Sequence, residues 1–356
     1  MSIYPFIMAG GSGTRFWPRS RASKPKQILK ITSDKFTMIQ MAYGLLEGYV
    51  PDKNIHVITN TLYAKEITKQ LKSIPKKNIL REPCGRDTAP CIGLAASYLY
   101  QIDPEATMLI MPSDHLIRPS EKFHQAVQSA IDIVEKQDTL VTFGIRPKYP
   151  ATAYGYIEKG KQEVISAGLP VYPVKQFKEK PDEKTAKSFI ESKKFFWNAG
   201  IFVWKAKYIL SLFEELMPDL YKGLEKMSAE NFKNIEEVYP KLQKISIDFA
   251  LLEKTKNIKV VGVDYEWDDI GSWESLNNHI AVDKNKNLNK GEIVSLDTKN
   301  CLMINDDTET LIATIGVENL LIVKSGNSIL IADRKKGQDL KKLIAELKNK
   351  GMDIYL

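Results

Sequence analysis

The sequence predicts an α/β fold with a mostly parallel central sheet, followed by a small β-rich unit. In the first half of the chain, short apolar runs alternate with amphipathic stretches, and this β-α-β-α rhythm is typical of such sheets. Near residue 283 the composition becomes polar and rich in Asn and Lys, and short apolar runs then follow at close spacing. A chain of 356 residues is also long for one compact core, so we expect two units of unequal size.

The first half supplies most of the predicted parallel sheet. The candidate strands are 3–9, 55–59, 107–111 and 139–144, and the candidate helices are 38–49, 62–73, 90–102 and 121–136. Pro90 suits the first turn of its helix, and Thr88 is the predicted cap before it. Because ligands collect at the carboxyl ends of strands in such sheets, a site is expected in the loops that follow them.

The second half is less regular and contains the predicted domain boundary. Strands are predicted at 154–159, 171–179 and 195–204, and helices at 207–217 and 248–255. The polar stretch 284–291 predicts a division into a domain of residues 1–285 and a domain of residues 286–356. The second domain has predicted strands at 292–296, 301–304, 311–314, 320–324 and 328–332, and a final helix over 338–350.

Composition limits the function classes. The net charge of +7 is a weak indication of an anionic ligand, whereas nucleic-acid binding would need a concentrated basic face. Three cysteines without a Cys-x-x-Cys pair predict reduced thiols in a cytoplasmic protein and no structural zinc. No signal peptide is expected, and no apolar run approaches the 18 residues of a membrane span. We therefore expect neither nucleic acid nor membrane as a partner.

The strongest signal follows the first predicted strand. It reads Gly10-Gly11-Ser12-Gly13-Thr14-Arg15-Phe16-Trp17-Pro18, with Lys24-Pro25-Lys26-Gln27 shortly after. Glycines let a backbone approach phosphates closely, and Arg15 and Lys26 supply the positive charge that a triphosphate demands. The run is neither a P-loop, which ends in Gly-Lys-Ser/Thr, nor a Gly-x-Gly-x-x-Gly dinucleotide loop. It therefore predicts a different kind of phosphate loop.

Two carboxylate clusters predict a magnesium site. Asp114 follows the apolar strand predicted at 107–111, and Asp268-Asp269 lies between Trp267 and Trp273. Magnesium in proteins is commonly held by one or two carboxylates and keeps phosphate oxygens or waters at its other positions. One Asp from each cluster would complete such a site, and the residues alone do not choose between Asp268 and Asp269.

These motifs resemble the signature of the nucleoside-diphosphate-sugar pyrophosphorylases. The form with Phe16-Trp17-Pro18 and Lys24-Pro25-Lys26-Gln27 is similar to the mannose-1-phosphate guanylyltransferase branch. Six further blocks follow in family order: Glu82-Pro83 with Thr88-Ala89-Pro90, Pro112-Ser113-Asp114-His115, Tyr154-Gly155-Tyr156-Ile157-Glu158, Phe177-Lys178-Glu179-Lys180-Pro181, Trp197-Asn198-Ala199-Gly200, and Trp267-Asp268-Asp269-Ile270-Gly271-Ser272-Trp273. The resemblance implies a Rossmann-like nucleotidyltransferase domain of mixed sheet, a short left-handed β-helix as the small second domain, and a homodimer.

The resemblance also implies roles for individual residues. It places the metal ligands at Asp114 and Asp269, with Asp268 as the rival, and the sugar phosphate on Lys180. Glu179 and Asn198 would bind sugar hydroxyls. The backbone at Gly155 and Gly200 would approach the ring. The nucleotide contacts would be Gly10, Gly11, Ser12, Gly13, Thr14, Glu82 and Arg86.

Asn198 also has a reading of its own, because a polar residue inside an apolar strand has to be satisfied or functional. By family position, Glu82 is the candidate for guanine, whose N–H groups a carboxylate would suit. His115 is expected to be a structural neighbour of Asp114.

The implied reaction transfers a nucleotidyl group from GTP to α-D-mannose 1-phosphate, giving GDP-mannose and pyrophosphate, with Mg²⁺, Arg15, Lys26 and Asp114 in the catalytic roles. One alternative keeps the chemistry but uses glucose 1-phosphate with UTP or dTTP. Another is a non-catalytic nucleotide-sugar-binding regulator, which could have lost the basic loop or the carboxylates that are present here. A two-function relative that also isomerises mannose 6-phosphate is less expected, because it would need a further metal-binding barrel.

Overall fold

The computed structural model describes residues 2–11 and 13–356, and its contacts divide them into two units. The larger unit contains residues 2–10, Ala42–Ser113 and Ile117–Trp267, and the smaller unit contains Gly11–Met41 without residue 12, Asp114–Leu116 and Asp268–Leu356. The division by contacts therefore groups the predicted phosphate loop with the tail of the chain. A domain boundary near residue 285 stays a prediction.

The larger unit is built on a mixed sheet of ten strands in the order β3-β2-β1-β4-β10-β6-β11-β9-β7, with β8 beside β9. Two further short strands, β5 and β12, each contain residues of both units. The strands are β1 (Ile3–Ala9), β2 (His56–Asn60), β3 (Ile79–Glu82), β4 (Thr107–Pro112), β5 (Leu116–Arg118), β6 (Leu140–Ile145), β7 (Tyr156–Lys159), β8 (Val164–Ser166), β9 (Leu169–Lys178), β10 (Phe195–Lys205), β11 (Ile258–Val263) and β12 (Glu266–Asp268).

The direction of the strands confirms the predicted class of a mixed α/β sheet. Strands β1 to β4 are parallel to one another, and β6 is parallel to β11. Strand β10 runs antiparallel between β4 and β6, and a register shift between Asn198 and Phe202 interrupts its pairing with β6. This irregularity falls at the polar residues in the strand interior.

Helices cover the sheet of the larger unit and bury an apolar core. The helices of the chain are α1 (Met38–Gly44), α2 (Thr61–Gln70), α3 (Thr88–Ile102), α4 (Ser120–Val134), α5 (Glu183–Ser192), α6 (Ala206–Leu216), α7 (Pro218–Ala229), α8 (Ile235–Val238) and, in the smaller unit, α9 (Leu340–Asn349). Helix α3 is buried on nearly every side, which its Ala- and Gly-rich sequence permits. None of the described helices has both the length and the apolar character that a membrane span requires.

Three sequence predictions about helices were wrong in detail. Thr88 is the first residue of α3 rather than its cap, because the Asp87 carboxylate accepts the hydrogen bond from the Thr88 N–H at 2.8 Å. The helix predicted over 38–49 ends at Gly44. The helix predicted over 248–255 is a π-helical turn, Asp248–Leu252, because its backbone follows the wider hydrogen-bond pattern.

The tail of the smaller unit forms two parallel ladders. Its strands are β13 (Leu288–Lys290), β14 (Ile293–Leu296), β15 (Leu302–Asn305), β16 (Ile312–Ile315), β17 (Leu320–Ser325) and β18 (Ser328–Asp333). The ladder β13-β15-β17 and the ladder β14-β16 stack successive passes of the chain, and β18 closes the first ladder antiparallel to β17. The predicted β-rich tail is confirmed, whereas the left hand of a β-helix stays a prediction.

The phosphate-loop segment shares its core with this tail. Phe16 and Trp17 are buried in one apolar cluster with residues of the tail such as Leu302, Val323 and Leu340. The indole N–H of Trp17 donates to the main-chain oxygen of Tyr355 at 2.7 Å. These contacts explain why residues 11–41 group with residues 268–356.

Candidate functional site

The predicted phosphate loop of the smaller unit is held in a tight conformation. Gly13 has a φ of +58°, and a Cβ atom at this position would lie 2.5 Å from the Cβ atom of Lys26. The Gly13 oxygen accepts a hydrogen bond from the Ser20 hydroxyl at 2.6 Å, and the Gly11 oxygen accepts one from the Gln27 amide at 2.9 Å. Only glycine fits at residue 13 without moving Lys26. Ser12, predicted to contact the nucleotide, lies outside the described residues.

Lys26 lies at the centre of the candidate site in the smaller unit. Its side chain is only 5% exposed, and its Nζ atom donates to Oδ2 of Asp114 and to the main-chain oxygen of Asp269, both at 2.8 Å. A third hydrogen bond joins Nζ to the main-chain oxygen of Asp114 at 3.2 Å. The structure therefore brings together three residues that are distant in sequence and were predicted to act together.

Charge neighbours control the ionisation of Asp114. Burial alone would raise its pKa, but the charges of Lys26, His115 and Arg15 and the hydrogen bond from Lys26 together lower the pKa below its ordinary value. The Lys26–Asp114 pair therefore stabilises the fold above the ordinary carboxyl pKa, and this contribution is lost as the pH falls through the lowered folded value. Burial lowers the pKa of His115, which is neutral near pH 7 and suits the predicted structural role.

The hydrogen bonds of Asp268 distinguish it from Asp269. The Asp268 side chain is 9% exposed, its Oδ1 accepts from the Ile270 N–H at 2.7 Å, and its Oδ2 lies 2.9 Å from Nε2 of His279. Asp269 is half-buried, and its carboxylate lies against Gly271, where a Cβ atom would meet Oδ2 at 2.8 Å. Asp268 is thus committed to the local fold, which favours Asp269 as the predicted metal ligand.

Arg15 adds an exposed positive charge to the same unit. It lies in the short helical turn Thr14–Phe16, and its guanidinium donates to the Gly271 oxygen at 3.1 Å. Phe16, the next residue, is fully buried against Trp273, with ring centroids 4.9 Å apart. The turn thus buries one side chain and leaves the other free to reach an anionic ligand. Two cations beside two carboxylates suit a polyphosphate carrying a divalent metal.

The predicted guanine contact, Glu82, is a buried carboxylate in the larger unit. It ends β3, is 4% exposed, and accepts a short hydrogen bond from the Tyr239 hydroxyl. Burial raises the pKa of Glu82, while hydrogen bonds from Tyr239 and Cys91 oppose the rise. A Cβ atom on Gly10 would lie 2.9 Å from Oε2 of Glu82, so the predicted nucleotide residue Gly10 is in close contact with this carboxylate. A direct contact between Glu82 and guanine stays a prediction.

Arg86 is the second predicted nucleotide residue of the larger unit. It precedes Asp87, whose φ of 66° is unusual for a residue other than glycine and turns the chain into α3. Among the described residues, the buried Nε atom of Arg86 has no hydrogen-bond partner. A buried donor without an acceptor is costly unless a ligand supplies one. This observation supports a ligand contact for Arg86.

The predicted sugar-phosphate residues Gly155, Glu179 and Lys180 lie together in the larger unit. A Cβ atom on Gly155 would lie 2.6 Å from Oε2 of Glu179, so only glycine leaves room for this carboxylate. Lys180 forms an ion pair with Glu179, its side chain is 62% exposed, and its backbone has a φ of 43°. A left-handed backbone conformation is unusual for a residue with a long side chain, so the surrounding structure has to hold Lys180 in place.

Asn198 is held at both ends of its amide. Its Oδ1 accepts hydrogen bonds from the Thr142 hydroxyl at 3.0 Å and from the Gly200 N–H at 3.1 Å, and its Nδ2 donates to Oδ1 of Asp248 at 3.2 Å. The predicted residues Asn198 and Gly200 are therefore neighbours, and Gly200 has a φ of 67°. Sequence reasoning did not identify Thr142 or Asp248. The sequence offered two signals for them: Thr142 is a polar residue inside the buried strand β6, and Asp248 is an acid at the start of an apolar turn.

Comparisons with known proteins identify the family of the chain. The family model for nucleotidyl transferases matches residues 4–286, and a model described as a mannose-phosphate isomerase/GMP-like β-helix domain matches residues 291–347. The mannose-1-phosphate guanylyltransferase of Escherichia coli K12 is 36% identical over 359 residues, covering 98% of this chain and 74% of the relative. That of Klebsiella pneumoniae is 36% identical over 99% of this chain and 75% of the relative.

Solved structures show the same fold. A Thermus thermophilus structure, described as a mannose-1-phosphate geranyltransferase, superposes with a TM-score of 0.87 at 30% identity and covers 98% of this chain and 100% of that chain. A Helicobacter pylori structure, described as a mannose-6-phosphate isomerase, superposes with a TM-score of 0.62 at 28% identity and covers 75% of this chain and 100% of that chain.

Proposed function

This chain belongs to the nucleotidyl transferase family, with close relatives among the mannose-1-phosphate guanylyltransferases, and we propose that it makes GDP-mannose from GTP and α-D-mannose 1-phosphate. The observation that carries the proposal is the contact of Lys26 with both Asp114 and Asp269, directly beside the phosphate loop. A second product, pyrophosphate, is released. The cytoplasmic location expected from the sequence stays a prediction.

The triphosphate of GTP would bind to the smaller unit. The loop from Gly11 to Thr14 supplies backbone N–H groups, and Arg15 and Lys26 supply positive charge. Gly10 is a further proposed contact of the nucleotide. The exposed guanidinium of Arg15 suits an entering ligand, whereas the buried Lys26 already contacts the Asp114 carboxylate.

Asp114 and Asp269 are the residues that would hold Mg²⁺. Both are carboxylates, the ligand type that magnesium prefers, and Lys26 contacts the Asp114 carboxylate and the Asp269 main-chain oxygen, so the two residues are near one another. When bound, Mg²⁺ would neutralise charge on the nucleotide phosphates. The commitment of Asp268 to Ile270 and His279 is the reason for preferring Asp269.

Mannose 1-phosphate would bind to the larger unit. Lys180 is exposed and carries the charge that a phosphate monoester needs, while Glu179 and Asn198 offer an acceptor and a donor for sugar hydroxyls. The main chain at Gly155 and Gly200 would approach the ring. Arg86 and Glu82 are the proposed contacts to the nucleotide in this unit, and the unpartnered Nε of Arg86 supports the first of them.

The transfer itself requires no general base. A phosphate oxygen of mannose 1-phosphate attacks the α-phosphorus of GTP in line, the bond from that phosphorus to the β-phosphate oxygen breaks, and pyrophosphate leaves. The attacking phosphate is already an anion near pH 7. Catalysis then depends on holding two anions together and neutralising the charge of the transition state, and we assign this role to Arg15 and Lys26.

The homodimer implied by the family resemblance is also a proposal. The tail of the smaller unit exposes large apolar side chains, among them Ile315 at 73% and Ile331 at 67%. A second copy of the chain is the proposed occupant of this face. Light scattering after size exclusion should give a dimer for wild type and a monomer for Ile331→Lys. Leu62→Lys, at a 77% exposed position of α2, is the matched control and should stay dimeric.

The catalytic proposal is tested by measuring pyrophosphate release with Mg²⁺ in a crossed panel. Mannose 1-phosphate and glucose 1-phosphate are each combined with GTP, ATP, UTP and dTTP, and isomerisation of mannose 6-phosphate is assayed in parallel. Fast turnover of mannose 1-phosphate with GTP alone is the expected result. Turnover of another pair would replace the substrates but keep the transfer chemistry, and inactivity of folded protein with every pair would favour a nucleotide-sugar-binding regulator.

A further inference from the structure

Asn198 can present only a donor to a ligand. Its Oδ1 accepts from the Gly200 N–H and shares the one hydrogen of the Thr142 hydroxyl with the Ile201 main-chain oxygen. Its Nδ2 donates to Asp248, so the orientation of the amide is fixed. One Nδ2 hydrogen points to Asp248, and the other has no acceptor among the described residues. A sugar hydroxyl that accepts from this N–H still has its own hydrogen to donate, and it needs an acceptor nearby.

Asp248 is placed by a segment that is attached to the start of α3. The Ile247 N–H donates to the Thr88 hydroxyl at 2.8 Å, and the Ala89 N–H donates to the Ile245 oxygen at 3.1 Å. The π-helical turn then buries Ala250, Leu251 and Leu252 in the core. These contacts hold the Asp248 carboxylate at the amide of Asn198.

A second carboxylate lies close to the Asn198 amide that Asp248 holds, because a Cβ atom on Gly155 would lie 2.6 Å from Oε2 of Glu179 and 3.6 Å from the Cβ atom of Asn198. Burial, followed by the charge of Glu179, raises the pKa of Asp248 to about 6, with a smaller rise from Glu253 and an opposing effect from Lys180. Two acids that disfavour each other's charge are an unfavourable arrangement in the absence of a partner. A ligand that donates hydroxyl hydrogens to them and accepts from Asn198 would relieve this cost.

We propose that Asp248 is a positioning residue for the sugar phosphate: it holds the Asn198 amide with one N–H directed at a sugar hydroxyl and forms, with Glu179, the acceptor for that hydroxyl's hydrogen. This inference rests on the proposed function. In this proposal Asp248, Asn198 and Glu179 together recognise one hydroxyl of the sugar. A site of this kind binds a deoxy sugar much more weakly, because a sugar that lacks the hydroxyl leaves polar groups of the site unpaired.

The test uses Asp248→Asn with Glu253→Gln as the matched control. Glu253 is an exposed acid five residues further along that also raises the pKa of Asp248. Its N–H donates to the Asp248 main-chain oxygen at 2.9 Å, a backbone contact that Glu253→Gln keeps. Michaelis constants for mannose 1-phosphate and for GTP are measured separately between pH 5 and 8. For Asp248→Asn we expect a rise of roughly tenfold or more in KM for the sugar phosphate and little change in KM for GTP.

The pH profile gives a readout that a purely structural role would not change. Protonation of the substrate phosphate, whose second pKa is about 6, lowers kcat/KM at acid pH in every variant, and protonation of Asp248 should add to this fall in wild type. The fall in kcat/KM as the pH drops through about 6 should therefore be smaller in Asp248→Asn than in wild type and unchanged in Glu253→Gln. Because the folded pKa of Asp248 is raised, its ionisation destabilises the fold as the pH rises through that value. Asp248→Asn should therefore melt at a higher temperature than wild type at pH 8, which would separate weaker binding from damage to the fold.

The outcomes separate this inference from the proposed function. If wild type turns over and Asp248→Asn keeps both the wild-type KM for the sugar phosphate and the wild-type fall in kcat/KM at acid pH, the role of Asp248 is wrong and the function stands. If wild type turns over no sugar phosphate, the proposed function and this inference both fall. A rise in both Michaelis constants together would mark general damage and would also count against a positioning role.

Discussion

The Nζ atom of Lys26 lies 2.8 Å from Oδ2 of Asp114, and the lysine side chain is almost completely buried. A buried ammonium without a carboxylate would be costly, whereas the Asp114 side chain is 37% exposed and stays in contact with water. Lys26 also donates to the main-chain oxygen of Asp269. The proposed metal ligands and the proposed catalytic lysine are therefore one electrostatic unit, and changes to one member will be felt by the others.

Lys26→Met should remove most of the activity. The substitution keeps the length of the side chain but removes the charge that neutralises phosphate, and we expect kcat to fall about 10²-fold or more. It should also raise the pKa of Asp114, because Lys26 is the largest favourable charge on that carboxylate. Turnover is measured by pyrophosphate release, and the melting temperature reports the fold. Wild-type turnover in folded Lys26→Met would exclude Lys26 from catalysis.

Arg15→Ala should lower kcat by about 10²-fold while leaving the fold intact. Arg15 is exposed, and its hydrogen bond to the Gly271 oxygen joins two surface loops. Lys24→Ala is the matched control, since Lys24 is an exposed cation of the same segment without a proposed role. Pyrophosphate release and thermal melting are compared for the two variants. Equal losses of activity would indicate a general charge effect rather than a specific contact.

The pair Asp268→Asn and Asp269→Asn should separate folding from metal binding. Asp268→Asn replaces a buried acceptor of the Ile270 N–H and His279, so we expect a loss of roughly 1–3 kcal/mol in the free energy of unfolding. Asp269→Asn should keep most of this stability and lose Mg²⁺-dependent turnover. Mn²⁺ binding, followed by electron paramagnetic resonance in the presence of GTP, should weaken in Asp269→Asn. The reverse pattern would make Asp268 the ligand.

Gly13→Ala and Gly11→Ala are a matched test of the phosphate loop. A Cβ atom at residue 13 would meet the Lys26 backbone N at 2.7 Å in a left-handed conformation, whereas at residue 11 nothing lies within 4 Å. Gly13→Ala should lower both the melting temperature and kcat, because Lys26 has to shift. Gly11→Ala should melt like wild type. Loss of turnover in a stable Gly11→Ala would show that phosphate approaches the backbone there, and a stable, active Gly13→Ala would contradict the described geometry.

His56 should make the fold sensitive to acid. Burial lowers its pKa to about 4, its ring stacks on Phe6 at 4.6 Å, and its Nδ1 lies 2.8 Å from the Asn54 oxygen. Since the folded pKa lies below the ordinary value, the stabilisation is present above pH 6.5 and is lost as the pH falls towards 4. His56→Phe should be less sensitive than wild type by about 2 kcal/mol between pH 7.5 and 5, measured by urea unfolding. Identical pH dependence in both proteins would contradict this.

The sequence predicted the regular elements well where an apolar run is bounded by clear signals. Strand β1 has its predicted bounds, Ile3–Ala9, because glycines follow it directly. Helix α5 was not predicted, since its apolar stripe consists only of Ala186, Phe189 and Ile190, which is short for a helix signal. The grouping of residues 11–41 with the tail could not be predicted either, because it depends on contacts between residues hundreds of positions apart.

The sequence predicted those residues of the candidate site that lie in recognisable motifs. Lys26 and Asp114 lie in recognisable blocks, and the structure brings them together. The preference for Asp269 over Asp268 depends on which carboxylate the local fold already uses, and a sequence does not show hydrogen bonds. Asp248 was missed for a similar reason, since its partner Asn198 is 50 residues away.

The hydrogen bond from Trp17 to the main-chain oxygen of Tyr355 has a consequence for chimeric enzymes. A chimera that joins residues 1–285 of one relative to the tail of another would pack the phosphate-loop segment of the first protein against the tail of the second. Arg19 and Arg21, whose partners Asp306 and Asn327 also lie in the tail, would meet the same mismatch. The loop segment and the tail therefore have to be exchanged together, although they are separate in the sequence.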